Sequence, residues 1–164
     1  MMIKGKAITY GDDVNTDLII PGRYLLLSKP EDLAAHAMED LDPSFFEKFR
    51  KGDIIVGGKN FGCGSSREQA VLCLIYAGVG AIIAKSFARI FFRNAINQGL
   101  LIIESSEAVD RINIFDEIQI NTSTSTITNK TTNCDVMIPA LPIFVKEILD
   151  DGGLINHLQK KDKG

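Results

Sequence analysis

Ser65, Ser66 and Arg67 stand between Gly57-Gly58-Lys59-Asn60-Phe61-Gly62-Cys63-Gly64 and Glu68-Gln69-Ala70. Two hydroxyls and a guanidinium beside glycines suit the holding of an anion. Glycine tolerates backbone angles that other residues resist and lets a ligand come close. The stretch follows the apolar run Asp53–Val56 and leads into a helical pattern from about Ser66. The hydroxyls therefore sit among backbone N–H groups with no intrahelical partner, where anions bind. The plain alternative is a glycine turn with a serine N-cap, Ser65 or Ser66 paired with Glu68 or Gln69. That explains one serine and one acid and leaves the glycines and Arg67 without a reason.

Other chemistry is sparse. Cys63, Cys73 and Cys134 are an odd set without CxxC spacing. They argue against disulfide stapling, a zinc site or a self-contained iron–sulfur site. The two histidines, His36 on an amphipathic helix and His157 in a polar tail, read as surface residues. Asp12, Asp13 and Asp17 cluster, but no glutamate closes a calcium loop.

With 164 residues, 45% hydrophobic and 24% charged, the chain reads as one domain over residues 1–164 with an ordinary core. The net charge of −3 and the lack of a basic block speak against nucleic acid. No apolar run approaches the ~20 residues of a membrane span. The first residues lack a signal-peptide h-region, which predicts a cytoplasmic protein.

The elements that must position Ser65–Arg67 follow from periodicity. Lys4–Thr9 reads as a strand, Tyr10–Asp17 as a polar turn, and Leu18–Tyr24 as an apolar run that stops at Pro21-Gly22. Leu25-Leu26-Leu27 is core or the wall of an apolar pocket. Ser28-Lys29-Pro30-Glu31 has capping-box spacing and predicts a helix to about Met38. A second short helix is expected from Asp42-Pro43-Ser44 to Arg50. Strand Ile54–Val56, helix Ser66–Tyr76, strand Ala81–Ala84, helix Phe87–Asn97 capped by Ser86, and strand Leu100–Ile103 then alternate. Gly78 and Gly99 are the helix stops. This β-α-β-α-β order predicts a parallel sheet with right-handed crossovers. Short β segments follow within 112–138, then a helix Ile143–Leu149, a break at Gly152-Gly153, a last helix Leu154–Leu158 and a frayed tail. The fold class is α/β.

Asn60–Ala70 resembles the signature of the swivelling domain of the aconitase superfamily. Lys85-Ser86-Phe87-Ala88-Arg89-Ile90 and Asn97-Gln98-Gly99-Leu100-Leu101 resemble its second signature. Gly11–Pro21 resembles the N-terminal block of its free-standing small subunits. The likeness runs from about Lys4 to Val145 and points to the small subunits of 3-isopropylmalate dehydratase, with homoaconitase small subunits as close relatives. It implies a swivelling β/β/α-type domain and a large partner subunit, in a heterodimer or heterotetramer, that carries a [4Fe-4S] cluster on its own cysteines. No metal is expected on this chain. It implies dehydration of a hydroxy-di- or tricarboxylate to an alkene and rehydration at the neighbouring carbon, as in leucine biosynthesis, with iron acting as a Lewis acid.

The resemblance also implies roles. Ser65 is the base that takes a proton from carbon. Its alkoxide would lean on N–H groups and a cation in a site closed to water. Arg67 supplies the cation and a two-pronged grip on a carboxylate. Ser66 either binds that carboxylate or caps the helix. Asp17 matches an active-site aspartate, with an Asx turn as the alternative. Gly62 and Gly64 shape the loop, and Arg89 fixes the loop or a partner carboxylate. Arg93 reads as solvated. Cys63 reads as small filler, because only the helix end could lower its pKa. Leu25–Leu27 resembles the substrate-reading loop, and Leu26 stands where homoaconitase-like members place an arginine. Leucine there favours an isopropyl group, whose burial contributes roughly 1.5–3 kcal/mol, over a third carboxylate. A methyl-substituted malate remains open. The rival from another class is an anion- or nucleotide-binding module, although GxxxxGK[ST] and GxGxxG are both missing.

Overall fold

The computed structural model describes residues 1–164. Its strands are β1 (Met2–Thr9), β2 (Ile54–Gly57), β3 (Ala81–Ala84), β4 (Leu101–Glu104), β5 (Glu117–Asn121), β6 (Thr126–Asn129) and β7 (Cys134–Met137). They form one sheet in the order β4-β3-β2-β1-β5-β6-β7. β1 joins two unlike halves. Its Ala7–Thr9 end pairs parallel with β2, and its Met2–Lys6 end pairs antiparallel with β5.

The parallel half is apolar because it is covered. Every residue of β2 and β3 is buried, as expected for strands with helices on their faces. Helix α4 (Glu68–Ala77) crosses from β2 to β3, and α5 (Arg89–Gln98) crosses from β3 to β4. Gly78 (φ 95°) and Gly99 (φ 85°) end them in the left-handed conformation. The antiparallel half alternates buried and open residues along β5 and β6, so one face is wet. One cluster of 39 buried residues reaches from Ala7 to Leu149, so the two halves share a core.

The β-α-β-α-β order stands as expected; several helix ends do not. The capping box at Ser28 does not form. Helix α2 spans only Pro30–Ala34, with Lys29 as N-cap and no side-chain cap bond. The chain leaves the helix because Met38 (φ 62°) turns into the core, its N–H donating to the Ile19 carbonyl at 2.8 Å. The next short helix, α3, is Phe45–Lys48. An unexpected helix, α6 (Ser106–Asp110), starts where the Ser105 hydroxyl accepts from the Ala108 N–H. The last pair is α7 (Ile143–Asp150) and α8 (Leu154–Asp162). α8 runs through the segment expected to fray. Two lysines in its last turn suit the helix dipole. His157, expected on the surface, is only 4% exposed. Its Nδ1 lies 2.7 Å from Asp151, which also pairs with Lys160. Docking of α8 on α7 buries the ring. No helix is long and apolar enough to cross a membrane.

Asp42 ties α3 to β1. Its carboxylate accepts from the Tyr10 hydroxyl (2.8 Å), the Ser44 hydroxyl (3.0 Å) and Lys48 (2.6 Å). Burial opposes its ionisation, but the bonds from Lys48, Tyr10 and Ser44 outweigh this and hold it below the usual carboxylate range. A depressed folded-state pKa stabilises the fold above the unfolded value and loses that contribution as pH falls through the folded one. Asp42→Asn is expected to cost about 1–3 kcal/mol near neutral pH. The gap to wild type in urea unfolding should narrow as pH drops below about 4. A gap independent of pH contradicts this role.

Candidate active site

The loops after the first three parallel strands meet at one end of the sheet, where α/β folds build their sites. The loop after β1 runs beside the glycine loop after β2. Gly58 N–H donates to Gly11, Asp13 N–H to Lys59, Gly62 N–H to Val14 and Thr16 N–H to Cys63, at 2.7–2.9 Å. The Asp12 carboxylate accepts from Lys59 N–H at 2.7 Å. On the other side, Phe61 N–H donates to Ser86 and Ala88 N–H to Phe61, at 3.0 and 2.9 Å. Ser86 Oγ accepts from Asn60 N–H at 2.8 Å. Ser86 thus joins two loops and does not cap α5, whose N-cap is Ala88. The rings of Phe61, Phe87 and Phe91 pack beneath, with Phe61 and Phe91 centroids 5.6 Å apart. Gly62 (φ 82°) is fixed by shape as well as backbone angle, because a Cβ there would overlap the Phe91 ring.

This lacing creates a cleft of about 290 Å³ bordered by Thr16, Gly62, Gly64, Ser65, Ser66, Arg67, Arg89, Ile90, Phe91 and Asn94. Its wall holds two arginines and no acidic residue. The amides of Cys63 to Arg67 donate to no backbone carbonyl. Helix α4 starts at Glu68 with Arg67 as N-cap and no side-chain cap bond, so neither serine caps it. Helix α5 also lacks a cap bond, has no acid in its first turn and begins with Arg89. A cation at a helix N-terminus opposes the dipole. Two uncapped helix starts and two guanidiniums around one cleft are stabilised by a bound anion.

Arg67 is held before any ligand arrives. It pairs with Asp17 in the first turn of the short helix α1 (Thr16–Ile19) and reaches the Ile20 carbonyl at 3.5 Å. Its Nη2 lies 3.7 Å from where a Cβ on Gly22 would be. A guanidinium has five N–H donors, so these contacts leave some free. Asp17 therefore acts on Arg67. The Asx-type cap at this place comes from Asn15, which accepts from Leu18 N–H at 3.0 Å.

Arg89 borders the cleft and makes no bond to the glycine loop; Arg93 lies in the adjoining groove. Leu25–Leu27 does not border the cleft. Leu25 and Leu27 pack on the core, while Leu26 is 97% exposed. The segment is anchored ahead of Leu26 by a single 3₁₀ turn, Gly22–Tyr24. There Arg23 pairs with Asp40 at 2.7 Å and Tyr24 stacks on His36 with centroids 3.6 Å apart. Burial and then the Asp13 charge push the Cys63 thiol above its ordinary value, which suits filler better than a nucleophile.

A profile of the aconitase C-terminal domain matches residues 29–108, which include the glycine loop and Arg89. The 3-isopropylmalate dehydratase small subunit of Caldanaerobacter subterraneus subsp. tengcongensis is 52% identical over 97% of this chain and 99% of its own. The isopropylmalate/citramalate isomerase small subunit of Methanocaldococcus jannaschii is 51% identical over 98% and 95%. A crystal structure of 3-isopropylmalate dehydratase from M. jannaschii superposes with a TM-score of 0.93 at 48% identity, covering 99% of this chain and 96% of that one. The chain belongs to the family of 3-isopropylmalate dehydratase small subunits.

Sequence reasoning missed Thr16 and Asn94. Asn94 is one turn beyond Ile90 on α5, a spacing that marks the face turned to the cleft. Thr16 is 2% exposed, and its hydroxyl donates to the Ser65 carbonyl at 2.9 Å while its N–H holds Cys63. Nothing in the sequence distinguishes it from its polar neighbours. Thr16→Val keeps shape and removes the bond. In the assembled enzyme it should lower kcat by roughly ten- to a hundredfold, as displacement of a reacting group does, and Thr16→Ser should restore most of it. An unchanged kcat for Thr16→Val rejects this positioning role.

Proposed function

We propose that this chain is the small subunit of a 3-isopropylmalate dehydratase and supplies half of a shared active site. The observation that carries the proposal is the cleft, where unpaired amides, two arginines and two helix starts surround Ser65. It suits a small dianion. Its ~290 Å³ lies at the lower end of ligand pockets. Three unpaired thiols fit the expected cytoplasmic setting.

The cysteines do not form a cluster site. Cys63 is in the glycine loop, Cys73 is buried in α4 and Cys134 is in β7. No three His, Cys, Asp or Glu side chains converge as metal ligands. The proposal therefore places the [4Fe-4S] cluster on a large subunit seated over the cleft, and the departure of the hydroxyl on that side.

On this side, Arg67, oriented by Asp17, grips a substrate carboxylate bidentately. Ser66 and Arg89 hold further oxygens. Ser65 Oγ takes the proton from the carbon next to the carbinol carbon, and the C–H electron pair becomes the new double bond as the hydroxyl leaves. In rehydration Ser65 returns its proton to carbon. The alkoxide is stabilised by the free amides of the loop and by Arg67, which act more strongly once the partner excludes water.

Leu26 is the residue proposed to meet the substrate's alkyl group. It is displayed without contacts, four residues from the Gly22 approach to Arg67, and the segment's arginine is occupied by Asp40. A methyl-substituted malate is the second reading, favoured by the M. jannaschii relative named for both substrates.

Ser65→Ala should lower kcat of the reconstituted enzyme by at least about a thousandfold with the complex intact, the scale of losing a base together with its charge stabilisation. A rate unchanged by this substitution removes Ser65 from the chemistry. The chain alone should be inactive, and measurable dehydratase activity without a partner contradicts the shared site. Leu26→Arg should shift kcat/KM from isopropylmalate towards homocitrate by at least tenfold. An unmoved ratio excludes Leu26 from substrate selection.

A further inference from the structure

The largest cleft in the molecule, about 750 Å³, is not the catalytic one. It lies beyond the opposite ends of the same strands, over the β1–β5 junction where the sheet turns from parallel to antiparallel. Five cationic and three acidic residues border it, on a chain whose net charge is −3. One cation, Lys48, is already paired with Asp42. Lys4, Lys6 and Lys130 have no ion-pair partner within salt-bridge distance, although Lys6 stands across from Glu117 in the sheet. The Arg50 guanidinium is fixed by the Phe49 and Glu47 carbonyls at 2.8 and 3.3 Å, which leaves its charge uncompensated. The Asp53 carboxylate is consumed by the backbone N–H groups of Lys6 and Arg50 at 2.9 and 2.8 Å. Glu47 and Glu117 are exposed at the rim.

One wall is a strained aromatic. Phe115 has φ 68° and is 48% exposed. It is the third residue of a turn closed by Asp116 N–H on the Asn113 carbonyl, with its own N–H donating to Ala7 at 2.7 Å. Turns with positive φ at that place favour glycine or asparagine, and a bulky side chain there is an outlier. The ring is thus held by the backbone at a cleft of unpaired cations and leaves about half of the residue's surface open.

We propose that this cleft binds a nucleoside phosphate, with the phosphates on Lys4, Lys6, Arg50 and Lys130 and the base stacked on Phe115. Charge alone calls for an oxyanion, and the displayed ring and the volume select one with an aromatic group. The site is separate from the catalytic cleft, so the proposal stands or falls independently of the dehydratase reading.

Calorimetric titration of the full chain with ATP, and separately with inorganic tripolyphosphate, tests it. ATP should bind, and Lys4→Glu/Lys130→Glu should weaken it at least tenfold. Phe115→Gly relieves the backbone, so the fold survives. It should weaken ATP about five- to a hundredfold, the worth of one base–aromatic stack, and leave tripolyphosphate unchanged. No ATP binding overturns the proposal. So does ATP binding unaffected by these variants, binding lost instead on Arg67→Ala/Arg89→Ala, or ATP and tripolyphosphate that respond alike to Phe115→Gly.

Discussion

Two segments that follow neighbouring parallel strands hydrogen-bond to each other from Gly58–Gly11 to Ser65–Thr16. The geometry of the cleft around Ser65 depends on that seam. The glycine loop has too many glycines to hold one shape alone. Its amides stay free for a ligand because the bonds that order it run through its carbonyls and its flanks. Gly58 and Gly62 donate outward, and Lys59, Cys63 and Ser65 accept. The amides from Cys63 to Arg67 are left over. A loop braced by its acceptors and open at its donors is shaped to receive an anion.

The same economy explains the charges. Arg67 is steadied by Asp17 and by backbone, and Arg89 sits at a helix start where its charge is locally unfavourable. Only the second placement weakens the empty protein, and a bound anion would offset it. Such local conflicts concentrate at functional sites. No three metal-ligating side chains converge in this chain, and Leu26 is displayed to solvent.

The parallel half was legible because its signals are local. Four-residue apolar strands and left-handed glycines need no tertiary context to be read. Helix starts inferred from a serine cap were not, whereas those at Ile143 and Leu154 stand where expected. Ser28, Ser66 and Ser86 all look like caps, yet none caps a helix. Ser86 bridges two loops, Ser66 faces the cleft, and Met38 draws the segment after Ser28 into the core. Ser65 and Arg67 were named by resemblance, and the fold brings both to one cleft. Thr16 was not, because its role exists only where two loops touch. His157 was misread because its burial depends on α8 folding back onto α7, which periodicity does not report.

The most direct test of Ser65 as the base separates proton removal from the rest of the reaction. In deuterated water, the enzyme reassembled with its large subunit should exchange the substrate's carbon-bound hydrogen for deuterium. Mass spectrometry of recovered substrate reads this out. The Ser65→Ala complex should still bind substrate while its exchange falls by the same factor as turnover. Exchange that persists at the wild-type rate in Ser65→Ala would show that the proton is taken by another group, and the division of the active site between two chains would need a different base.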